Sequence, residues 1–160
     1  MKYELTMKTI RYMEKTLYRI KALKNFADVN AGDLGGFIES EENLSQEDDC
    51  WVYDDSKVYD NAEVKCKVRI YDRAQVYGSS RVCDCTNVGG YSRIYDDATV
   101  YGYAKISGNA KVYNNSIVSD YAKIRDFAET YGDAYIGDSI VVCGEAKTSS
   151  KYRLSDGIVK

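Results

Sequence analysis

Over residues 51–146 an aliphatic side chain returns at every sixth residue, a period that admits few folds. The blocks read WVYDDS, KVYDNA, EVKCKV, RIYDRA, QVYGSS, RVCDCT, NVGGYS and RIYDDA. They continue TVYGYA, KISGNA, KVYNNS, IVSDYA, KIRDFA, ETYGDA, YIGDSI and VVCGEA, sixteen in all with no insertion. The second residue is Val or Ile in fifteen blocks, Thr130 being the exception. The sixth is Ala, Ser or Thr in fourteen, Val68 and Ile140 departing, while the fourth and fifth are mostly Asp, Asn and Gly. Asp, Asn and Gly tolerate left-handed backbone, so each block predicts a short strand followed by a corner. Side chains alternate along a strand, which sends the sixth and second residues inward and the first and third outward.

Helices and hairpin meanders do not fit a corner every six residues. A three-sided coil does. Three blocks make an 18-residue turn whose strands pair with those one turn above, and sixteen blocks give about five coils. The expected fold class is therefore all-β, a parallel β-helix over residues 51–146 behind a β-rich N-terminal cap over residues 1–50, with residues 147–160 as a C-terminal cap.

The alternation of aliphatic and small residues, as in Val52 to Ser56 and Val58 to Ala62, resembles the hexapeptide repeat of left-handed β-helix proteins, with Tyr in place of a small or acidic residue after the aliphatic. A closer resemblance rests on TLYRIKAL (16–23), DVNAGDLGGFI (28–38) and NLSQEDDCWVYD (43–54). Together with the repeat they are similar to the YdcK-like group of hexapeptide-type proteins, common in phages and prophages. That resemblance implies a left-handed coil, contrary to the general preference for right-handed crossovers. It implies little about activity.

Residues 1–50 lack the repeat and are expected to cover the open end of the coil, where core and strand edges would otherwise meet water. Met7, Ile10, Met13, Leu17 and Ile20 have helical spacing, yet Tyr18, Ile20 and Ala22 alternate like a strand; a hairpin turning near Met13 to Lys15 is chosen by resemblance. AGDLGGF has neither the Lys-Ser/Thr of a P-loop nor dinucleotide-site spacing, so it reads as a tight connection into the first coil. Beyond Lys147 and Thr148, Tyr152 and Leu154 are the apolar residues expected to cap the far end.

The chain has no His and no Pro, five Cys and sixteen Tyr in 160 residues. The missing His bears on function, because hexapeptide acyltransferases typically use one as general base and β-helix carbonic anhydrases hold zinc through three. Neither reaction fits, and residues 51–146 contain no loop excursion to build a site. An acyltransferase with an unusual base stays as an alternative. Cys66, Cys83 and Cys85 share a corner but suggest no fourth ligand, and the Asp-rich corners, such as Asp54-Asp55, suit turns as well as calcium. No catalytic residue, metal or cofactor is assigned.

Residues eighteen apart stack on one face, which makes Tyr59, Tyr77, Tyr95, Tyr113 and Tyr131 an outward column. Beside it run Lys57, Gln75, Arg93, Lys111, Glu129 and Lys147, mostly cationic. Identical residues in register stabilise flat parallel sheets, so the column has a purely structural explanation. Aromatics beside cations also mark recognition faces. Tyr59, Tyr77, Tyr95, Tyr113, Tyr131, Lys57, Arg93 and Lys111 are accordingly the candidate binding face. A net charge of −3 disfavours nucleic acid and favours a protein partner or self-association as dimer or trimer. Apolar runs are short and Met1-Lys2-Tyr3-Glu4 is no secretion signal, so the expectation is a cytoplasmic protein without a membrane span, in the host cytoplasm if phage-encoded. Such a binder would suit a phage accessory or counter-defence inhibitor; a self-associating structural module is the third alternative.

Overall fold

The computed structural model describes residues 1–149 and 157–160. Strand follows strand with no α-helix among these residues, and hence with no helix long and apolar enough to cross a membrane. Each hexapeptide contributes a two-residue strand at its first and second positions, from Trp51–Val52 to Val141–Val142. Arg93 pairs in parallel with Gln75 below and Lys111 above, a step of eighteen, and the same step recurs on three sheets. These form a three-sided β-solenoid.

The fourth residue of every block is left-handed, for example Asp72 at φ 59° and Gly78 at φ 69°. Asp and Asn do more there than accept the conformation. Asp54, Asp72, Asp84 and Asp126 each accept, through Oδ2, the backbone N–H of the corner residue one coil on, at 2.8–3.0 Å. Corners are thus tied along the rod as the strands are. The sixth residue lies inside, and where it is Ser or Thr its hydroxyl donates to the carbonyl of the third residue, as Ser92 Oγ does to Gly89 O at 2.7 Å. That bond makes a small polar residue tolerable in the interior.

The fifteen inward Val and Ile residues of the second positions are all buried. Each is worth about 1.5–3 kcal/mol before chain entropy is subtracted. At Thr130 the aliphatic column is broken, and Thr148 Oγ1 bonds Thr130 Oγ1 at 3.0 Å inside the last described coil.

The coil is longer than the hexapeptides alone indicate, at about six turns. Leu34–Ile38 is already a strand of it, with Phe37 parallel to Lys57 and Ile38 to Val58, and Leu44 bridges Val64. These partners are twenty residues apart, whereas Trp51 and Arg69 are eighteen apart. Two extra residues between Leu44 and Trp51 put the first coil out of step with the repeat, which is why its sequence hides it. The N-terminal cap therefore comprises less than residues 1–50. At the other end Lys147–Thr148 stays in register on Glu129–Thr130, and Ile158–Val159 adds a strand to Val141–Val142. Tyr152 and Leu154, expected as capping residues, lie outside the described residues.

Strands β1 (Tyr3–Tyr12) and β2 (Lys15–Ala22) form the expected hairpin, turning through Met13 and Glu14 with both at positive φ. β2 pairs antiparallel with β3 (Leu34–Ile38), so the hairpin extends one sheet of the solenoid beyond its first coil. Tyr3, Ile20, Ala22 and Val29 close the core against Trp51, whose ring meets Phe26 and Tyr3 edge-on at 5.4 and 6.1 Å. Gly35 and Gly36 are packing positions: a Cβ on Gly35 would lie 2.6 Å from Trp51, and one on Gly36 2.5 Å from Ser56 O. The connection into the coil is tight, as the sequence suggested.

Candidate functional site

The tyrosine column stands where the eighteen-residue step places it. Tyr59, Tyr77, Tyr95, Tyr113 and Tyr131 stack with centroids 4.9, 5.0, 4.9 and 5.3 Å apart and planes within 11° of parallel. Parallel strands set this spacing, at about 4.8 Å, close to the separation that stacked rings prefer.

The column is not uniformly open, which corrects the expectation of five outward phenols. The tip of the β1–β2 hairpin folds over its lower end. Tyr12 meets Tyr59 edge-on at 5.7 Å, and Leu17 and Phe37 join Tyr59 in a small apolar cluster that Ile10 and Tyr77 flank. Tyr59 is left only 4% exposed. Gln75 Oε1 accepts from both the Tyr12 and Tyr59 hydroxyls, at 3.0 and 3.2 Å. Lys57 lies half-buried with its ammonium 5.1 Å from the Tyr12 ring, and burial lowers its pKa. Lys15 anchors the hairpin to Glu39 and Asp60 at 3.2 and 2.7 Å, and Arg19 reaches Asp55 at 3.3 Å. Tyr59 and Lys57 are therefore part of the cap.

Tyr95, Tyr113 and Tyr131 remain half-exposed, with Arg93 and Lys147 in solvent beside them. Lys111 is committed to Glu129 at 3.1 Å, and the Tyr113 hydroxyl donates to the same carboxylate at 2.9 Å. Burial pushes every described shift on the column upward. Tyr95 rises to about 12, and Tyr113 rises further because Glu129 holds its proton. At neutral pH these phenols are proton donors and stacking surfaces; they are poor general bases.

The first and third positions of the strands do not account for the most exposed aromatics. Tyr91, Tyr103, Tyr121 and Phe127, 54–63% exposed, all occupy the fifth position, at corners. Tyr103 and Tyr121 stack at 5.1 Å on one edge, and Arg73 covers Tyr91 at 5.7 Å on another. Both edges border the sheet carrying Lys105, Lys123 and Arg125. The signal was present in the sequence as Tyr103 and Tyr121 eighteen apart, but at a position read as turn residues.

The five cysteines are unpaired, Cys50 and Cys143 buried and the other three half-buried. Cys66, Cys83 and Cys85 belong to no group of three or more metal-ligating side chains among the described residues. Burial raises the Cys83 thiol, which keeps it protonated.

Three parallel sheets, corners clamped by carboxylates and a column of stacked rings define a β-solenoid repeat protein. Within that class, residues 92–104 and 104–120 match the YdcK beta solenoid repeat, the group that the chain's motifs resemble. It is 40% identical over 55 residues to the uncharacterized acetyltransferase YdcK of Escherichia coli (strain K12). The aligned stretch is 34% of this chain and 17% of that relative, so the chain spans well under two-thirds of the relative's length.

Proposed function

We propose that this chain acts by surface binding, presenting the upper tyrosine column to another protein without chemistry of its own. One observation carries this reading: Tyr95, Tyr113 and Tyr131 form a prestacked, half-exposed aromatic strip bordered by Arg93 and Lys147. Aromatic rings fixed before binding lose little freedom when a partner covers them, and Tyr and Arg are the residues on which interface energy concentrates. The same strip would serve a second copy of the chain in a dimer or trimer. The company of the resembling proteins in phages and prophages supports a host protein as the partner and a counter-defence or accessory role.

The double variant Tyr95→Ala with Tyr113→Ala tests this. It is expected to lose at least about tenfold in capture of partner from host lysate, with circular dichroism unchanged. Recovery of the same proteins at the same level by both baits overturns the column as contact face.

The name of the Escherichia coli relative favours acetyl transfer as the second reading. A chain without His would need another group to take the proton from an acceptor, and the column phenols, raised by burial, do not supply it. Calorimetry with acetyl-CoA separates the readings: heat of binding supports transfer, and its absence removes that reading.

A further inference from the structure

A second aromatic column stands on a different edge of the prism and differs from the first in being short and open. Tyr103 and Tyr121 stack 5.1 Å apart with 6° between their planes, 54% and 60% exposed. The equivalent residue one coil below is Cys85 and one coil above is Ser139. Rungs of this ladder are set about 4.8 Å apart by the coils. The stack therefore ends on a bare face of Tyr121, with the small, exposed Ser139 side chain at the level where a third ring would stand.

The groove alongside has a volume of about 420 Å³ and is lined by Tyr103, Lys105, Tyr121, Lys123 and Ser139. Small-molecule sites run from roughly 300 to 1,000 Å³. Among the described residues no carboxylate lines it. Asp120, which turns the same corner, is taken up by the Asp138 N–H at 3.1 Å and by Ser119 Oγ at 3.0 Å. Lys105 and Lys123 are direct neighbours across a parallel strand pair, and among the described residues neither forms an ion pair. Like charges placed opposite one another in a sheet repel. On a chain of net charge −3, two such lysines beside an unfinished aromatic stack are a local exception with a clear complement.

We propose that this corner binds a mononucleotide, the base completing the column over Tyr121 at the level of Ser139 and the phosphate lying between Lys105 and Lys123. Each half of the ligand answers one half of the site. A neutral aromatic would leave the lysine pair unneutralised, and a bare phosphate would leave the Tyr121 face in water. A single-stranded polymer needs successive stacking platforms along a track, whereas this column is two rings long and its groove reaches only the Ser139 end. The site lies away from the Tyr95–Tyr113–Tyr131 strip, so it stands or falls independently of the protein-binding reading.

Calorimetry and amide chemical-shift mapping on the full chain with AMP test the proposal. AMP is expected to bind the native chain, shifting the amides of Tyr121, Lys123 and Ser139, while adenosine and inorganic phosphate each bind at least about tenfold more weakly. Ser139→Phe puts the chain's own ring in the vacant rung, and Phe127 shows that the fold accepts Phe at a fifth position. That variant is expected to weaken AMP by about tenfold or more, as is Tyr121→Ala, which shortens the column. Lys123→Ala should weaken AMP and flatten the salt dependence. Absence of AMP binding at millimolar concentration, unchanged binding by Ser139→Phe and Tyr121→Ala, or binding of a single-stranded oligonucleotide but not AMP would each overturn it.

Discussion

The corner residue is where this chain places its most particular chemistry. A left-handed conformation costs an ordinary L-residue about 1–2 kcal/mol, and Asp and Asn reduce that cost by local hydrogen bonding. Here their side-chain oxygens also accept the next coil's N–H. Asp72 sits in the middle of such a chain, its N–H donating to Asp54 Oδ2 at 2.9 Å while its own Oδ2 accepts from Gly90 at 2.8 Å. Three substitutions separate the two contributions. Asp72→Asn should cost little, because Asn114 already fills the role, its Oδ1 accepting from Gly132 at 3.2 Å. Asp72→Gly should lose only the hydrogen bond, about 0.5–1.5 kcal/mol. Asp72→Ala should lose the bond and incur the backbone strain, about 1.5–3.5 kcal/mol in all. Urea unfolding midpoints in the order Asn, Gly, Ala confirm the division; equal losses for Gly and Ala contradict it. The preference for Asp, Asn and Gly at the fourth position was legible as turn chemistry. Its second use was not, since the acceptor's partner lies eighteen residues away and depends on the pitch of the coil.

Among the elements, the tyrosine column is the one whose properties exceed those of its residues. Partial burial, reinforced by the neighbouring acidic groups, holds the Tyr95 phenol in its protonated form, up to about 12 against about 10 in an unfolded chain. The folded state thus retains a proton that the unfolded state releases first. This contribution to stability is fully present below about pH 10 and is lost as pH rises toward about 12. Ultraviolet titration of tyrosinate should show a fraction of the phenols ionising late, together with alkaline unfolding, and Tyr95→Phe should reduce both. A single titration step near pH 10 for all sixteen tyrosines would contradict it. The column itself was readable because period and strand alternation fix which residues face outward and which align. The hairpin that covers Tyr59 was readable only as a hairpin. Where its tip lands is decided by Tyr12, Ile10 and Leu17 meeting Tyr59 and Phe37, contacts between segments whose relation no local pattern encodes.

The molecule as a whole is nearly one-dimensional, each coil touching the coils before and after it. This explains both the clarity of the sixteen blocks and the blindness at their ends. Within the blocks every position repeats its environment, so the sequence repeats too. At the start, two extra residues between Leu44 and Trp51 shift the register, and a coil that is structurally continuous with the rest reads as something else. The corner aromatics were missed for the opposite reason: Tyr103 and Tyr121 occupy turn positions where composition draws the eye to Asp and Gly, so their exposure emerges only once the corners have been built.

Because the backbone N–H groups at the first and third positions of the hexapeptides from Trp51 to Tyr131 answer carbonyls seventeen residues on, as Tyr77 does to Ile94 at 3.0 Å, the rod has a quantum of length. Excising residues 93–110 joins Ser92 to Lys111 and removes one complete circuit, so Tyr77 would find Tyr113 as its new neighbour and every interior column would close up by one step. Such a shortened chain should fold, scattering as a particle shorter by about 4.8 Å. Removing seventeen residues or nineteen from the same place should turn the valines of one side out into water and yield no folded product. A chain of this design lengthens or shortens as a screw does, by whole turns of the thread.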